Sequence, residues 1–361
     1  MSTKAPLRVG FIGAGGIAGD HLRAYETFPD RVRVAAVCDV NEEVARKFAA
    51  EAGVEAVYTD AETMLAEAAI DAVAVCTTHN THAQLALAAI AAGRHVLVEK
   101  PLATTLGDCR AMVDAADKAG VTLMVGQNHR YVPTYRRAHQ IVREGELGTV
   151  RAARCDAMQN LPEFVTGHWL LDGEIAGGGV IPSLAVHPID LLRYIVGDVK
   201  RVTALTRTSR SEFVNGAEDY AAALLEFENG AIGEMFATFS SFRTPWVHQV
   251  TVFGDSGVIQ TEPYMGESPV ETPATAATAK RLPDGPGDWE GQFRGFAPLE
   301  KATDLPTDDD MINEVLHFAD CCASGAEPIS SGRDNLGTME VVFAIYESAR
   351  TGATVELKDL A

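Results

Sequence analysis

The chain has 361 residues, with 50 acidic and 30 basic side chains, a formal net charge of −20 and a hydrophobic fraction of 47%. The length predicts about two domains, and the apolar content excludes global disorder. The negative charge argues against nucleic acid and anionic membranes as partners, because both need a basic face. We expect a cytoplasmic protein, since no membrane span or secretory leader is recognisable and the six cysteines form no CxxC pair.

The first third of the chain alternates apolar, strand-like runs with helical patterns. Strands are predicted at 7–12, 32–38, 72–76, 96–98 and 121–125, and helices at 17–28, 42–52, 60–68, 82–92 and 106–119. Strands separated by helices indicate crossover units and a parallel sheet that is covered by helices on both faces. We therefore predict an α/β Rossmann domain, a doubly wound parallel sheet, over residues 1–126.

After Gly126 the pattern changes to longer alternating runs. Strands are predicted at 151–158, 199–208, 220–228, 231–239 and 248–252, and helices at 134–143, 183–196, 310–323 and 335–349. The turn Glu228-Asn229-Gly230 predicts a hairpin, because both central residues tolerate positive φ. Residues 127–361 are thus predicted to form an α+β domain with an open, mainly antiparallel sheet, interrupted by a Pro- and Gly-rich loop at 262–310.

A dinucleotide motif follows the first strand and opens the first helix. Gly13–Ala18 matches G-x-G-x-x-G/A, in which the first two glycines allow a tight turn and close approach of a pyrophosphate. Asp39 ends the second strand, where a carboxylate accepts both ribose hydroxyls of NAD and repels the 2′-phosphate of NADP. NAD is therefore the predicted cofactor, and its expected contacts here are Gly13, Gly15, Gly16, Ile17 and Asp39.

Two further segments follow strands of the same predicted sheet. Thr77 and Thr78 stand where a cofactor contact is expected. His79 and His82 are either further cofactor contacts or structural side chains. Proline after Lys100 favours an extended backbone, which projects the amine from a strand end. An ordinary surface lysine is the alternative.

Three glycines precede the helix that carries the remaining candidates. Ser183 and His187 are four residues apart, and His187 and Asp190 are three apart, so they share a helix face. The glycines at 177–179 allow the backbone to pass close to a bulky group. The alternative is a capped helix with His187 in the core and Asp190 paired to Arg193.

Together, in this order and spacing, these segments resemble the family of glucose–fructose oxidoreductase, inositol dehydrogenase and MocA-type proteins (Gfo/Idh/MocA). The resemblance extends to Glu99-Lys100-Pro101 and to the segments 126–131 and 345–350. It implies that Glu99 and Lys100 border nicotinamide and substrate, and that His187 transfers the proton. It also implies homodimers or homotetramers built by stacking the open sheets.

Two departures from the family pattern stand out. Family dehydrogenases carry Asp four residues before the catalytic His, and this chain has Ser183. A carboxylate there would stabilise an imidazolium, whereas a hydroxyl carries no charge. Either Asp190 or another residue takes that role, or the chemistry differs. The family's Pro-Asn is replaced by Thr78-His79, which changes the expected cofactor contacts.

The predicted function is NAD-dependent oxidation of a secondary alcohol of a sugar, sugar derivative or cyclitol, with Lys100 and His187 as catalytic residues. One alternative is a glycoside hydrolase that recycles NAD through transient oxidation, elimination, water addition and re-reduction. The other is a non-catalytic NAD-binding regulator. No metal is expected.

The predicted substrate site draws on both halves of the chain. Arg130 is alternatively an ion-pair partner, and Trp169 a core side chain. The basic and aromatic segment 243–248 is either a contact for an anionic sugar or a solvated loop. The expected substrate contacts are Lys100, Asn128, Arg130, Tyr131, Trp169, Ser183, His187 and Asp190, of which Asn128 and Lys100 also face the cofactor.

Overall fold

A computed structural model describes residues 5–164, 167–241, 247–261, 276–279, 297–298 and 301–360. The candidate segment 243–246 and most of the loop 262–310 lie outside the described residues. Contacts group the chain into two compact units. The first comprises Met1–Tyr131, Ile175–Gly177 and Asp309–Met339, and the second comprises Val132–Glu174, Gly178–Asp308 and Glu340–Ala361. Asp309–Met339 thus groups with the first unit, although the sequence-based division placed it in the second.

In the described part of the chain, the first unit contains a six-stranded parallel sheet with the order β3-β2-β1-β4-β5-β6. This arrangement confirms the predicted doubly wound Rossmann fold. The strands are β1 (Leu7–Ile12), β2 (Val32–Cys38), β3 (Val57–Tyr58), β4 (Ala72–Val75), β5 (His95–Glu99) and β6 (Leu123–Gly126). The intervening helices are α1 (Gly16–Thr27), α2 (Glu42–Glu51), α3 (Ala61–Glu67), α4 (His82–Ala91) and α5 (Leu106–Ala119).

Local signals explain where these helices begin and end. The side chains of Asn41, Asp60 and Thr105 accept hydrogen bonds from backbone amides in the first turns of α2, α3 and α5. Such caps satisfy amides that a helix start leaves unpaired. Gly120 ends α5 in the left-handed region, with φ of 65°. The predicted helix 106–119 therefore agrees residue for residue with α5.

The second unit contains a mixed sheet. The helices between residues 133 and 196 are α6 (Pro133–Arg143), α7 (Leu161–Phe164), α8 (Gly173–Ala176), whose last two residues group with the first unit, and α9 (Val186–Val196). The strands are β7 (Val150–Met158), β8 (Val199–Arg207), β9 (Tyr220–Phe227), β10 (Ile232–Thr238), β11 (Val247–Gly254), β12 (Gly257–Thr261), β13 (Ala276–Ala279), β14 (Ala297–Pro298) and β15 (Val355–Glu356). Among the described residues, these strands form a nine-stranded sheet with the order β14-β13-β12-β11-β7-β10-β9-β8-β15.

Pairing in this sheet is antiparallel except between β7 and β10, which run parallel. The predicted open, mainly antiparallel sheet is thereby confirmed. The predicted hairpin joins β9 and β10, but among its central residues Gly230 alone has positive φ, of 83°. The side chain of Asn229 instead accepts from the amide of Ala231 and donates to the carbonyl of Val196.

The two faces of the sheet differ in what covers them. Helix α9 packs against β7 and β11, and Ala153, Cys155 and Ala157 are buried on β7. Alternate residues on β8 and β9 point the other way, and Leu205 and Leu224 are 62% and 63% exposed. The period of two therefore leaves apolar side chains on the open face.

One helical stretch corrects the expectation that no segment could span a membrane. Gly173–Val196 is long and apolar enough by length and composition, but 89% of its most apolar window is buried inside the protein. Burial of this kind is typical of a core helix, whose neighbours supply the apolar environment. The cysteines are free thiols, five of them buried and Cys322 half-buried.

The segment that rejoins the first unit contains α10 (Asp310–Ser324), followed by α11 (Gly332–Thr351), which continues into the second unit. Helix α10 packs against α1. The amide of Val125 donates to the carbonyl of Ser330, and the hydroxyl of Ser330 donates to the carbonyl of Val125. The end of β6 is thus bonded to residues two hundred positions later.

Candidate active site

The glycine loop offers an open backbone at the start of α1. The amide of Gly13 donates to the carbonyl of Cys38, and a Cβ on Gly13 would lie 2.4 Å from the carbonyl oxygen of Cys76. Gly13, with φ of 90°, is therefore enclosed by neighbouring strand ends. By contrast, a Cβ on Gly15 or Gly16 would meet nothing within 4 Å. This exposed helix N-terminus can receive a pyrophosphate, because its amides and dipole favour an anion.

Asp39 is held beside that loop. Its Oδ2 accepts from the amide of Ala14 at 2.9 Å, and its Oδ1 accepts from the amide of Asn41 at 2.9 Å. The carboxylate is thereby fixed between the glycine loop and the start of α2. This position fits the predicted contact with the ribose of a dinucleotide.

The segment after β4 divides into hydroxyls and buried rings. Thr77 and Thr78 are half-buried, and the hydroxyl of Thr81 donates to that of Thr77. The ring of His82 is fully buried, 2.8 Å from the carbonyl oxygen of Pro101 and 3.2 Å from that of Thr77. His79 is buried against the carbonyl of Ala176 at 2.8 Å. These contacts favour the structural alternative for both histidines over the predicted cofactor contacts.

Glu99 has a partner that the sequence did not indicate. Its Oε1 lies 2.7 Å from Nε2 of His21, and both side chains are buried. Its Oε2 accepts from the amide of Lys100 at 3.2 Å. Burial raises the pKa of Glu99, but the hydrogen bond from His21 and the nearby charges of His21 and Lys100 lower that pKa by more. Glu99 is therefore ionised at the end of β5.

Lys100 is half-buried and follows this carboxylate in the chain. Burial lowers the pKa of its amine, and the charge of Glu99 opposes that change. His129 is also buried, and burial together with the charge of Lys100 lowers the pKa of His129 to about 3. The ring of His129 is therefore neutral at physiological pH. A lysine with a shifted pKa at a strand end marks a candidate catalytic centre.

The neighbours of His129 have structural partners. The side-chain amide of Asn128 donates to Asp310 Oδ2 at 2.6 Å. Arg130 is 2% exposed and forms an ion pair with Asp334 at 2.5 Å. The hydroxyl of Tyr131 is buried 3.0 Å from that of Ser330. Arg130 and Tyr131 thus have partners within the first unit, as the alternative for Arg130 expects, and their contact with a substrate stays a prediction.

The second unit carries the other predicted group of site residues. Residues Ile181–Ala185 form a π-helical turn that leads into α9. Such turns occur frequently at functional sites. Ser183, in this turn, and His187 and Asp190, in the first turns of α9, are all buried. Arg193, the alternative partner for Asp190, donates to Asp198 Oδ1 at 2.6 Å.

His187 has an aromatic neighbour on the sheet. The ring centroids of His187 and His248 are 6.2 Å apart, and His248 is buried on β11. Tyr135 donates its hydroxyl hydrogen to the carbonyl of His248. Trp169 is half-buried, with its ring centroid 5.4 Å from that of His168. The structure therefore places a second histidine beside the predicted proton acceptor.

Sequence reasoning missed three buried polar residues of these surroundings, His21, His129 and Glu218, whereas His248 belongs to the candidate segment 243–248 and is buried rather than solvated. His21 contacts Glu99, and His129 lies within the electrostatic reach of Lys100. Glu218 accepts from the amide of Gly179, just before the turn that contains Ser183. Their partners are distant in sequence, and only a charged or imidazole side chain in an otherwise apolar run could have drawn attention to them. Over the described ranges, no group of three or more His, Cys, Asp or Glu could hold a metal ion.

An open glycine loop, a carboxylate after β2 and a half-buried lysine after β5 define a dinucleotide-dependent oxidoreductase. The model of an oxidoreductase family with an NAD-binding Rossmann fold matches residues 7–127, and the model of the Gfo/Idh/MocA C-terminal domain matches residues 135–260. The chain belongs to the Gfo/Idh/MocA oxidoreductase family, which confirms the predicted membership.

Relatives in this family cover nearly the whole chain. D-apiose dehydrogenase of Paraburkholderia graminis is 33% identical over 353 residues, covering 97% of this chain and 89% of that protein. Myo-inositol 2-dehydrogenase of Thermotoga maritima is 28% identical over 359 residues, covering 98% and 99%. The solved structure of levoglucosan dehydrogenase in complex with NADH has a TM-score of 0.86 at 26% identity, covering 98% and 99%.

Proposed function

We propose that this protein is an NAD-dependent dehydrogenase that oxidises a secondary alcohol of a sugar, a sugar derivative or a cyclitol. The observation that carries the proposal is the half-buried Lys100, next to the buried carboxylate of Glu99 at the end of a Rossmann strand. Dinucleotides bind outside the carboxyl ends of such strands. The names of the relatives support the substrate class, since they include an apiose, an inositol and a levoglucosan dehydrogenase.

Lys100 acts on the substrate hydroxyl in this proposal. Its ammonium donates a hydrogen bond to the hydroxyl oxygen and stabilises the negative charge that grows there as the proton leaves. Burial lowers the pKa of Lys100, and the charge of Glu99 opposes this effect and so favours the ammonium form. A desolvated ammonium interacts more strongly with a developing alkoxide than one in water.

His187 receives the hydroxyl proton in the same proposal. An imidazole is suited to this task near neutral pH. Ser183 precedes it on the same helical stretch and can donate or accept a hydrogen bond, but it supplies no charge to an imidazolium. The bound nicotinamide would supply the hydride acceptor. The residues that fit it are the open glycines of the loop and Asp39.

NAD is proposed over NADP because of Asp39. Its carboxylate is fixed at the end of β2 by two backbone amides. A fixed anion accepts hydrogen bonds from ribose hydroxyls but repels a 2′-phosphate, whose charge it cannot neutralise. The preference therefore follows from the charge of this one side chain.

The decisive experiment is a panel of sugars, inositols and chromogenic glycosides, assayed for both NADH formation and release of the aglycone. Stoichiometric NADH with a sugar or cyclitol is the expected result. Aglycone release with catalytic NAD and no net NADH would instead establish the redox-neutral hydrolase, the candidate favoured by Ser183 where the family carries a carboxylate. Binding of NAD without either reaction would establish the regulator.

Two further properties belong to the proposal. We infer homodimers or homotetramers formed through the open face of the second sheet, because Leu205, Leu224 and Ile232 are more than 60% exposed there. Light scattering of the purified protein measures this directly, and a monomer contradicts it. The free thiols support a reducing, cytoplasmic environment, which localisation of a tagged protein tests.

A further inference from the structure

One residue bonds to the entire entry of the helix that carries His187. The amides of Gly179 and Ile181 donate to the two carboxylate oxygens of Glu218, at 2.9 and 2.8 Å. The amide between them, of Val180, donates to the carbonyl oxygen of Glu218 at 2.8 Å. The first amides of a helix lack partners within the helix, and a negative charge there is stabilising. Glu218 satisfies three of them in succession.

The carboxylate, which accepts from the amides of Gly179 and Ile181, receives a third donor from α11. The hydroxyl of Tyr346 lies 3.1 Å from each oxygen of Glu218. Glu218 is 4% exposed, so these contacts are made out of water. A Cβ on Gly179 would lie 1.9 Å from the carbonyl oxygen of Glu218, and one on Gly178 would lie 1.8 Å from Oη of Tyr346. The glycines before the helix are required by this close approach.

Glu218 is itself fixed to the sheet by the residue that follows it. The backbone amide and carbonyl of Asp219 bond to Arg207 and Phe239. Its carboxylate accepts from the amide of Ser209 at 2.7 Å and from the hydroxyl of Ser240 at 2.6 Å. Glu218, which bonds the start of the helix, is therefore anchored by the hydrogen bonds of its neighbour immediately before β9.

The held turn is close to the proposed chemistry. Ser183 lies two residues after Ile181 in the π-helical turn, and His187 lies six residues after Ile181. Six residues are less than two turns of helix, about 9 Å. A displacement at the entry would therefore be passed on to both side chains, since a helix moves as a stiff rod over this length.

We propose that Glu218, in its ionised form, is a positioning residue that holds the turn of Ser183 and the ring of His187 in their reactive place. The inference rests on the proposed function for the role of His187. It requires the ionised form because all the side-chain contacts of Glu218 above are with donors. A carboxylic acid or an amide must direct a hydrogen of its own at one of those donors.

The protonation of Glu218 changes within the physiological range. Burial raises its pKa from 4.5 to about 7, against the hydrogen bonds from Ile181, Gly179 and Tyr346. Tyr346 is the titratable side chain that acts on it within the described residues. The pKa of Glu218 is higher in the folded than in the unfolded protein. Its contribution to the free energy of unfolding therefore falls as the pH rises from 4.5 to about 7. Over the same interval, ionisation completes the set of hydrogen bonds at the helix entry.

A positioning role and a purely stabilising role therefore predict opposite pH trends. The proposal predicts that kcat falls as the pH drops below about 7, while the contribution of Glu218 to stability rises. Glu218→Gln should lower kcat by about 10- to 100-fold, the effect of a small misplacement, with KM changed by less than about threefold. The decrease in kcat below about pH 7 that protonation of Glu218 causes should also be absent from this variant.

Three variants complete the kinetic test. Tyr346→Phe keeps the carboxylate but removes a donor that lowers its pKa, so the acid limb should move to higher pH. Glu218→Asp should recover part of kcat, because it restores the charge. Glu228→Gln, an exposed glutamate in the β9–β10 hairpin, is the matched control and should leave every readout unchanged. Wild-type kcat and pH profile in Glu218→Gln would overturn the proposal.

Hydrogen exchange of the peptide spanning 178–190 tests the same contacts without any substrate. In Glu218→Gln at pH 8, the amides at 179–181 should exchange at least about tenfold faster than in the wild type, after correction for intrinsic rates. Unchanged exchange rates would show that Glu218 does not hold the start of this helix. A wild-type protein that oxidises no sugar would reject the proposed function instead, and the exchange result would still decide whether Glu218 holds this turn.

Discussion

Oε1 of Glu99 lies 2.7 Å from Nε2 of His21, which joins the first helix after the glycine loop to the end of β5. Both side chains are buried, so the charge of Glu99 is shielded from water and depends on the hydrogen bond to His21. The hydrogen bond from His21 helps to keep Glu99 ionised. The charge of Glu99 in turn opposes the lowering of the pKa of Lys100, the proposed catalytic amine, by burial.

Replacing His21 with Leu should destabilise the protein by about 3–5 kcal/mol, because it leaves a buried charge without its partner. The folded pKa of Glu99 is below its ordinary value, so the pair contributes fully above the unfolded pKa and is lost as pH falls through the folded pKa. The loss should therefore be larger at pH 8 than at pH 4.5 in urea unfolding. The double variant His21→Leu/Glu99→Gln should recover part of it, and equal losses at both pH values would contradict this account.

Lys100→Met should reduce kcat by about 10²- to 10⁴-fold, the usual range for a proton-transferring or charge-stabilising group. The affinity for NAD should stay within about threefold, because the loop and Asp39 are untouched. Fluorescence titration with NADH and steady-state kinetics measure the two effects. Lys118→Met, at an exposed lysine of α5, is the matched control, and a fully active Lys100→Met would exclude the proposed role.

Asp39→Asn separates the charge of this side chain from its hydrogen bonding. The amide oxygen can still accept from Ala14, but the repulsion of a 2′-phosphate is gone. The ratio of kcat/KM with NAD to that with NADP should fall by about tenfold or more, equal to about 1.4 kcal/mol. Asp114→Asn, at an exposed position on α5, should leave the ratio as it is. An unchanged ratio in Asp39→Asn would locate the preference elsewhere.

Gly15→Ala and Gly13→Ala should fail in different ways. A Cβ on Gly15 meets nothing within 4 Å, so the variant should fold normally and lose NAD affinity by about tenfold or more, because a methyl group blocks the pyrophosphate. Gly13 has φ of 90° and no room beside Cys76, so its variant should lose about 1–3 kcal/mol or more of stability. Thermal unfolding and NADH titration separate the two, and normal NAD binding by Gly15→Ala would refute the placement of the pyrophosphate.

The parts of the fold that sequence could predict are those with local signals. Helix α5 begins after the capping residue Thr105 and ends at Gly120, so residues next to the helix determine both of its boundaries. Strand β3 has only two residues, Val57 and Tyr58, too few to show a period. The parallel pairing of β7 with β10 joins segments about 80 residues apart and depends on the whole sheet.

The site follows the same division. The glycine loop and Asp39 are recognisable because a motif fixes their spacing. His21 and Glu99 are 78 residues apart, and Gly179 and Glu218 are 39 apart. No periodicity links such pairs. Arg130 and Tyr131 are predicted substrate contacts, and the sequence did not show that a segment near the end of the chain supplies partners for them.

That late segment has a consequence for how the molecule is made. Asn128, Arg130 and Tyr131 are bonded to residues of Asp309–Met339. On the ribosome, the nucleotide-binding unit is synthesised first but lacks these partners until most of the polypeptide has emerged. The polar groups of that surface therefore lack hydrogen-bond partners during most of translation, which is the interval in which a chaperone is most useful.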